Sequence, residues 1–248
     1  YRDNKVIVSG NDPWLPKTTA LLIWLPNAPT TYFSDFRIRR YTSPEPEVLI
    51  ELALPSPLTL KLKWKSKIGR FMYPNNPIIA DNTIYVPSRG NNSESSDDAD
   101  GLYAIDPATG KVLWHFKTGN DAEGCAVGDI NSDGKLEIVL GSSDHNLYCL
   151  DLTGKEIWKF ETGSKVFSIP TLWDINGDGK LEVIFGSADG FLYCLNSEGK
   201  EIWKFKAGAQ IRDSAAVGDL DKDNNPEIVF GSYNGNLYCL NSEGKELW

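Results

Sequence analysis

The chain has 248 residues, of which 41% are apolar and 24% are charged, and its formal net charge is −9. This composition is that of a globular protein with a sizeable core, and the negative charge disfavours a nucleic-acid partner. Every apolar run is shorter than the roughly 20 residues that a membrane-spanning helix requires, so we predict no membrane span.

Residues 1–60 do not share the pattern of the rest of the chain. Proline lacks a backbone donor, and the density of prolines here is typical of edge strands and surface loops. We therefore predict a β-rich segment that is either a degenerate repeat or a separate cap or docking module. Its strand-like stretches are Lys5–Ser9, Thr19–Leu25, Tyr32–Arg40 and Glu47–Leu54.

Residues 61–248 form a repeat array that is marked by regularly spaced tryptophans. Three further apolar runs lie between successive tryptophans, with turn signals between them. Four short antiparallel strands in each repeat of this length are typical of a β-propeller blade. We therefore predict an all-β fold with about four blades, at approximately 65–118, 119–162, 163–207 and 208–248. The tryptophans are Trp64, Trp114, Trp158, Trp203 and Trp248.

An acidic hairpin lies between the first two predicted strands of each of the last three repeats. Oxygen-bearing side chains occupy places 1, 3, 5 and 9 of the hairpin, and the residue at place 7 offers its backbone carbonyl. Ca²⁺ takes six to eight oxygen ligands, so the pattern predicts about three calcium sites. The predicted ligands are Asp129, Asn131, Asp133, the Lys135 carbonyl and Glu137; Asp174, Asn176, Asp178, the Lys180 carbonyl and Glu182; and Asp219, Asp221, Asp223, the Asn225 carbonyl and Glu227.

Three alternatives to a calcium hairpin share part of this pattern. An EF-hand needs a glutamate at place 12, where these repeats have an apolar residue. Mg²⁺ keeps several waters and rarely uses an all-protein site. The third alternative is a turn rich in Asp, Asn and Gly that binds no ion. In the last hairpin Asn224 replaces the glycine at place 6, and we expect it to adopt the sharp turn itself.

The cysteines and one glycosylation sequon bear on the compartment. Cys149, Cys194 and Cys239 occupy the same place in each repeat, which favours buried core thiols over disulfides or metal ligands. Asn91 begins the sequence Asn-Asn-Ser, an acceptor for N-glycosylation. Weak calcium sites would be filled only outside the cytosol. We therefore predict an exported protein that is extracellular or at the cell surface.

Two motifs resemble known families of propellers. The acidic hairpin followed by Phe185-Gly186 or Phe230-Gly231 resembles the FG-GAP repeats of integrin-α-type propellers, although those families have Asp rather than Glu at place 9. Residues 103–116, YAIDPATGKVLWHF, resemble the tryptophan-docking motif of pyrroloquinoline-quinone-type propellers. The second resemblance implies that each repeat tryptophan wedges between neighbouring blades. The first implies adhesion or ligand binding, and the second implies either a dehydrogenase or a non-enzymatic scaffold.

These observations predict a calcium-stabilised, non-catalytic module for binding, adhesion or structural assembly. Its predicted partner is another protein or further copies of the chain, with a glycan as a second possibility. We predict no catalytic residue and no enzyme, because His115 and His145 lack a plausible nucleophile nearby.

Two other functions remain as alternatives to the non-catalytic module. One is a carbohydrate-binding or polysaccharide-active propeller. Its candidate residues follow the tryptophan strands: Arg70, Phe71, Tyr73, Lys165, Phe167, Arg212 and Asp213. The other is a quinoprotein dehydrogenase, which the small number of blades and the lack of adjacent cysteines disfavour.

Overall fold

The structure is a computed structural model that describes strands at 6–8 and 48–50 and the residues 62–70, 76–91 and 95–248. The chain divides into two compact units, Tyr1–Lys61 and Leu62–Trp248. In the first unit, strand β1 (Val6–Val8) pairs antiparallel with β2 (Val48–Ile50). These strands fall within two of the predicted stretches. The other two, at 19–25 and 32–40, lie outside the described residues.

The second unit consists of antiparallel sheets, each built from strands that follow one another in the chain. The first blade contains β3 (Ile78–Ala80), β4 (Thr83–Arg89), β5 (Asp100–Ile105) and β6 (Val112–Lys117). The second contains β7 (Ala122–Gly128), β8 (Glu137–Ser142), β9 (Asn146–Asp151) and β10 (Glu156–Glu161). The third contains β11 (Thr171–Trp173), β12 (Glu182–Gly186), β13 (Phe191–Leu195) and β14 (Glu201–Lys206).

The fourth blade has three full strands and a short fourth segment. The strands are β15 (Ala216–Gly218), β16 (Glu227–Gly231) and β17 (Leu237–Leu240). Beyond them, Glu246 forms a bridge with Leu240, and the Leu247 amide donates to the Cys239 carbonyl. This segment therefore takes the place of the outermost strand.

The second and third blades bury both of their faces against neighbouring blades, because side chains alternate between the two sides of a strand. In β9, Tyr148 and Leu150 pack with residues of the first blade, whereas Leu147 and Cys149 pack with residues of the third. The first strands of consecutive blades also contact one another. This arrangement of face-packed antiparallel blades confirms the predicted all-β propeller fold.

The repeat tryptophans connect each blade to the next one. The Trp158 indole donates to the Ser197 carbonyl at 3.0 Å, and its ring lies against Gly199. The rings of Trp64, Trp114 and Trp203 make the same contact with the last hairpin of the following blade. Trp248 is 59% exposed.

The fourth blade leaves its outward face uncovered in the part of the chain that the structure describes. Leu237 is 59% exposed, although the corresponding Leu147 and Leu192 are fully buried between blades. All four cysteines are buried and free, which for Cys149, Cys194 and Cys239 agrees with the prediction from their shared place in the repeat. Among the described residues, no helix has the length and apolar character to cross a bilayer.

Candidate functional site

The three acidic hairpins adopt the same turn, which is held by carboxylates that accept backbone N–H groups. In the first hairpin, Asp129 accepts hydrogen bonds from the amides of Asp133 (3.1 Å) and Gly134 (2.8 Å). Glu137, the first residue of β8, accepts from the Ile130 amide at 3.0 Å. Because the same bonds recur around Asp174 and Asp219, the repeated sequence specifies one local structure.

The third hairpin brings three carboxylates closest to a metal-binding arrangement. One oxygen each from Asp219, Asp221 and Glu227 lies within 4.8 Å of the others. Asn224 adopts a φ of +69°, as its position in place of a glycine predicted. The residue at place 4 also has a positive φ, both at Lys222 in this hairpin and at Ser132 in the first hairpin. The sequence pattern did not reveal this feature.

The glutamates that close the first two hairpins are buried. Burial raises the pKa of Glu137 and of Glu182, because an ionised carboxylate is costly to desolvate. A bound cation would oppose that cost by stabilising the charged form. The hairpins therefore have the chemistry of a cation site, and calcium in them remains a prediction.

A second group of side chains lies on the loops that lead into the first strand of each blade. These loops follow the glycines Gly119, Gly163 and Gly208. The third residue after each glycine is buried in the core: Ala122, Val166 and Ile211. The second and fourth residues after each glycine flank this buried residue in the sequence. We call the surface that they form the loop face, comprising Asp121, Glu123, Lys165, Phe167, Gln210 and Arg212.

Glu123 is the most completely buried charged group of the loop face. Its side chain is 0% exposed and forms an ion pair with Arg89 at the end of β4. Its second oxygen accepts from the Ser143 hydroxyl at 2.7 Å. Burial raises the pKa of Glu123, whereas Ser143 and Arg89 oppose that effect. The first and second blades thus both hold this carboxylate in place.

Asp121 lies beside this ion pair, but one of its carboxylate oxygens lacks a hydrogen-bond donor among the described residues. The residue is 4% exposed, and the oxygen without a donor is Oδ1. Burial, followed by the nearby charge of Glu123, raises its pKa to about 6. A buried carboxylate with an unpaired oxygen is costly unless a ligand or water supplies the missing donor.

Asp100, at the start of β5, is a second buried acid in this region. It is 0% exposed, its Oδ2 accepts from the Asp97 amide at 2.7 Å, and its Oδ1 lacks a donor among the described residues. Burial raises its pKa, and it contributes to the raised pKa of Asp121. Asp100, Asp121 and Glu123 therefore form one electrostatically coupled group of acids.

The rest of the loop face is cationic and aromatic. The Lys165 ammonium lowers the pKa of both Asp121 and Glu123, and it lies 5.8 Å from the Phe167 ring centroid. The Arg212 guanidinium lies 4.6 Å from the same centroid. Asp213 is exposed. The loop face thus changes from acidic on the second blade to basic and aromatic on the third and fourth.

Several predicted residues lie apart from this group. His115 stacks on Tyr103 with ring centroids 4.0 Å apart, and His145 occupies a turn with a φ of +77°.

Asn91 is exposed, and its amide donates to Asp97 at 2.6 Å. The other two sequon residues, at 92 and 93, and the sugar candidates Phe71 and Tyr73 lie outside the described residues. Arg70 is exposed, and its backbone pairs with Gly90.

The acids of the loop face were missed in the sequence. A signal was available, because Asp121 and Glu123 occupy the same places after Gly119 as Lys165 and Phe167 occupy after Gly163. Their burial and their contact with Arg89 depend on the neighbouring blade, and no motif within a single repeat records that contact.

Comparison with known proteins reveals partial similarity to several propellers. The family model described as the lambda-carrageenase beta-propeller domain matches residues 108–172 and 170–217, which together are less than half of the chain. A quinoprotein alcohol dehydrogenase of Pseudomonas putida is 38% identical over 73 residues, covering 29% of this chain and 11% of that protein. The outer membrane protein assembly factor BamB of Burkholderia pseudomallei is 26% identical over 125 residues, covering 47% and 29%.

A solved structure gives the same fold over a larger part of the chain. A quinohemoprotein alcohol dehydrogenase from Pseudomonas putida HK5 superposes with a TM-score of 0.50 and 16% identity, covering 69% of this chain and 33% of that one. This likeness shows the fold alone. The chain spans about a third or less of the length of each of these relatives.

These matches correct the predicted function. The prediction of a non-catalytic module for binding, adhesion or assembly is wrong, because the matched relatives include quinoprotein alcohol and ethanol dehydrogenases. The prediction that the chain is no enzyme is only partly supported, since an assembly factor stands beside these dehydrogenases. The FG-GAP resemblance is not shown. The comparisons support a propeller of the pyrroloquinoline-quinone-like superfamily, as the tryptophan motif indicated.

Proposed function

We propose that this chain is part of an enzyme-type propeller that binds a hydroxyl-bearing substrate at the acidic side of the loop face, with the Asp121 carboxylate accepting a hydrogen bond from the substrate hydroxyl. The observation that carries this proposal is the buried Oδ1 atom of Asp121, which has no donor among the described residues. The similarity to alcohol dehydrogenases supports a substrate of this class.

The local chemistry suits hydrogen bonding by this carboxylate near neutral pH. An ionised acceptor forms a stronger hydrogen bond than a neutral one, and the pKa of Asp121, although raised to about 6, still lies below neutral pH. Glu123 acts as a positioning residue, because its charge raises the pKa of Asp121 while Arg89 and Ser143 fix its own location. Perturbed acids of this kind cluster at functional sites.

The relatives' name implies a quinone cofactor, and neither the acidic side of the loop face nor the cavity described below fits it. Asp100 and Asp121 each present a buried carboxylate oxygen at the acidic side of the loop face, and these oxygens would repel the carboxylates of pyrroloquinoline quinone. A cavity of about 450 Å³ lies elsewhere and is lined by Ile175, Asn176, Ile202, Trp203, Ser242 and Glu243, which include no cation. We derive no step through a quinone.

The three acidic hairpins are proposed to bind calcium as a structural ion. The three convergent carboxylates of the third hairpin support this proposal, and the repeated turns give the first two the same framework. Export from the cytosol, which was predicted from the weakness of such sites and from the sequon at Asn91, remains a prediction.

A protein partner is proposed for the outward face of the fourth blade, which no other described residue covers. Similarity to an assembly factor supports it, and Leu237 and Trp248 are both more than half exposed there. Exposed apolar residues that form a patch are typical of interaction sites. Light scattering on a concentration series tests self-association: the fraction of larger species should fall in Leu237→Asp and stay unchanged in Leu113→Asp, an exposed leucine on β6 of the first blade. Equal association in all three proteins would contradict it for copies of this chain.

The substrate proposal is tested by calorimetric titration with small alcohols, diols and sugars at several pH values. Wild type should bind at least one of them, with an affinity that rises as the pH increases through about 6, because the ionised Asp121 is the better acceptor. Asp121→Asn should lose roughly tenfold in affinity, in line with a lost hydrogen bond to a charged group, and should lose the pH dependence.

The matched control is Asp213→Asn, which removes an exposed acid from the corresponding loop of the fourth blade. Its affinity should equal that of wild type. Failure of all these compounds to bind wild type at millimolar concentration would refute the proposal, and so would equal binding by wild type and Asp121→Asn.

A further inference from the structure

The Arg212 side chain is held between two aromatic rings. Its guanidinium carbon lies 4.6 Å from the Phe167 ring centroid and 4.9 Å from the Tyr233 ring centroid. The Nε atom donates to the Gln210 side chain at 2.9 Å. These three contacts orient the guanidinium, and its two terminal nitrogens have no hydrogen-bond partner among the described residues.

The rings come from loops that the fold brings together. Phe167 precedes β11 of the third blade, whereas Tyr233 follows β16 of the fourth. The Tyr233 amide donates to the Gln210 carbonyl at 2.9 Å, so the Tyr233 and Arg212 loops share a backbone bond. Corresponding backbone bonds tie Ser143 to Asp121 and Ala188 to Lys165, so this junction is a regular part of the repeat.

No ion pair of the described residues neutralises Arg212. The salt bridges found there involve other cations. Lys165 adds a second positive charge, 5.8 Å from the same Phe167 ring. In a chain with a net charge of −9, two cations that converge on one ring form a local positive patch to which anions are drawn.

This arrangement has the chemistry of an anion receptor. A planar guanidinium offers paired N–H donors that match a carboxylate or sulfonate group, and it stacks on aromatic faces at low desolvation cost. Tyr233 is 64% exposed and offers a flat surface for a ring of the ligand. Gln210 holds the fork in position before any ligand arrives, which lowers the entropic cost of binding.

We propose that Arg212, Lys165, Phe167 and Tyr233 form a binding site for a ring-bearing organic anion. The anionic group binds the Arg212 fork with Lys165 nearby, and the ring packs on Tyr233. This site stands on its own observations and does not depend on hydroxyl binding at Asp121.

The test is titration of the folded chain with benzoate, benzenesulfonate and benzyl alcohol, followed by NMR or calorimetry. Wild type should bind benzoate or benzenesulfonate at least about tenfold more tightly than the neutral benzyl alcohol, because a charge-assisted bidentate pair is added. The two anions separate a carboxylate site from a sulfate-type site. Equal binding of the neutral compound and both anions would overturn the proposal.

Arg212→Gln should weaken binding of the preferred anion at least about fivefold, and Arg212→Lys should weaken it less, because it keeps the charge but loses the fork. Tyr233→Ala, an exposed position, supplies a second variant and should lose about threefold through the missing ring surface. Unchanged affinity in Arg212→Gln or in Tyr233→Ala would contradict the proposal.

The matched control is Lys204→Gln. Lys204 belongs to the outer strand β14, and its Nζ atom lies 5.8 Å from the ring centroid of Phe191. The affinity of Lys204→Gln for the anion should stay within about twofold of wild type. If Lys204→Gln lost as much affinity as Arg212→Gln, the loss would be a general charge effect, and the proposed site would be refuted. Asp121→Asn should bind the anion as well as wild type or better, so failure of the substrate proposal is distinguishable from failure of this one.

Discussion

At the residue scale, a glycine in the last hairpin of each blade meets the tryptophan ring of the preceding repeat. A Cβ atom on Gly199 would lie 2.6 Å from the Trp158 ring, and the residue has a φ of +78°. Gly208 has a similar φ of +83° but nothing within 4 Å of the corresponding position. An alanine at Gly208 therefore introduces backbone strain alone, whereas an alanine at Gly199 introduces backbone strain and a steric clash.

We expect Gly199→Ala to lower the free energy of unfolding by roughly 2–4 kcal/mol, because it adds a clash to the strain of a left-handed alanine. Gly208→Ala should cost only about 1–2 kcal/mol, from the strain alone. Urea denaturation of the two variants measures the difference. Equal losses would contradict the tight packing of Trp158 on this hairpin.

Asp121 gives a prediction about pH at the same scale. Its folded pKa is raised from 3.8 to about 6, so the folded state keeps a proton that the unfolded state loses between these values. The stability associated with this group is present below pH 3.8 and declines as the pH rises through about 6.

Asp121→Asn removes this titration. We therefore expect the free energy of unfolding of the variant, relative to wild type, to increase by on the order of 2 kcal/mol between pH 4 and pH 7. Urea titrations of both proteins at these pH values measure it, and Asp213→Asn serves as the exposed control. A constant difference between Asp121→Asn and wild type would show that Asp121 has an ordinary pKa.

At the scale of elements, the acidic hairpin joins the first two strands of a blade and depends on two left-handed residues. In the second hairpin, Gly177 and Gly179 have φ values of +76° and +85°. The Asp174 carboxylate accepts amide hydrogen bonds from this turn, including that of Gly179 at 2.9 Å. The turn thus positions its carboxylates through its own backbone.

Calcium should stabilise these hairpins by binding only the folded chain. At a free concentration of 100 times its dissociation constant, it should add about 2.7 kcal/mol per site. Thermal melting in calcium, in EGTA and in magnesium measures the effect, and only calcium should raise the melting temperature strongly. The same melting temperature in calcium and EGTA would contradict the calcium sites.

Most of these strands and turns could be predicted from the sequence, because residues close together in the chain determine them. The alternating oxygens and glycines around Asp174 and Asp219 define the turn, and the apolar runs define the strands that follow. The acids of the loop face were missed because their properties depend on distant residues. Asp121 is an ordinary loop aspartate in the sequence and becomes unusual only when the fold places it beside Glu123 and Arg89.

At the scale of the whole second unit, the repeat tryptophans stabilise the contact between each blade and the next. The Trp203 indole donates to the Ser242 carbonyl at 3.0 Å, and its ring lies against Gly244. Trp248 occupies the same place in the repeat but is 59% exposed. The two tryptophans are therefore a matched pair: among the described residues, Trp203 packs on a following hairpin and Trp248 does not.

We expect Trp203→Leu to lower the free energy of unfolding by roughly 2–4 kcal/mol, because it removes a packed ring and a hydrogen bond. Trp248→Leu should change it by no more than about 0.5 kcal/mol, as for an ordinary surface position. Urea denaturation compares them, and equal losses would mean that the contact between the third and fourth blades contributes little.

The candidate site also belongs to this scale, because no single blade contains it. Arg89 comes from the first blade, Glu123 and Ser143 come from the second, and Lys165 comes from the loop that enters the third. Packing the blades face to face brings these charges together and excludes water from them, which raises the pKa of Asp121.

The most direct measurement is a ¹³C NMR titration of the Asp121 side-chain carboxyl carbon, with and without a bound alcohol or sugar. The account predicts a midpoint near pH 6 in the free protein and a lower midpoint with ligand, since a donated hydroxyl stabilises the carboxylate. A midpoint near 4 that no hydroxyl compound alters would contradict it.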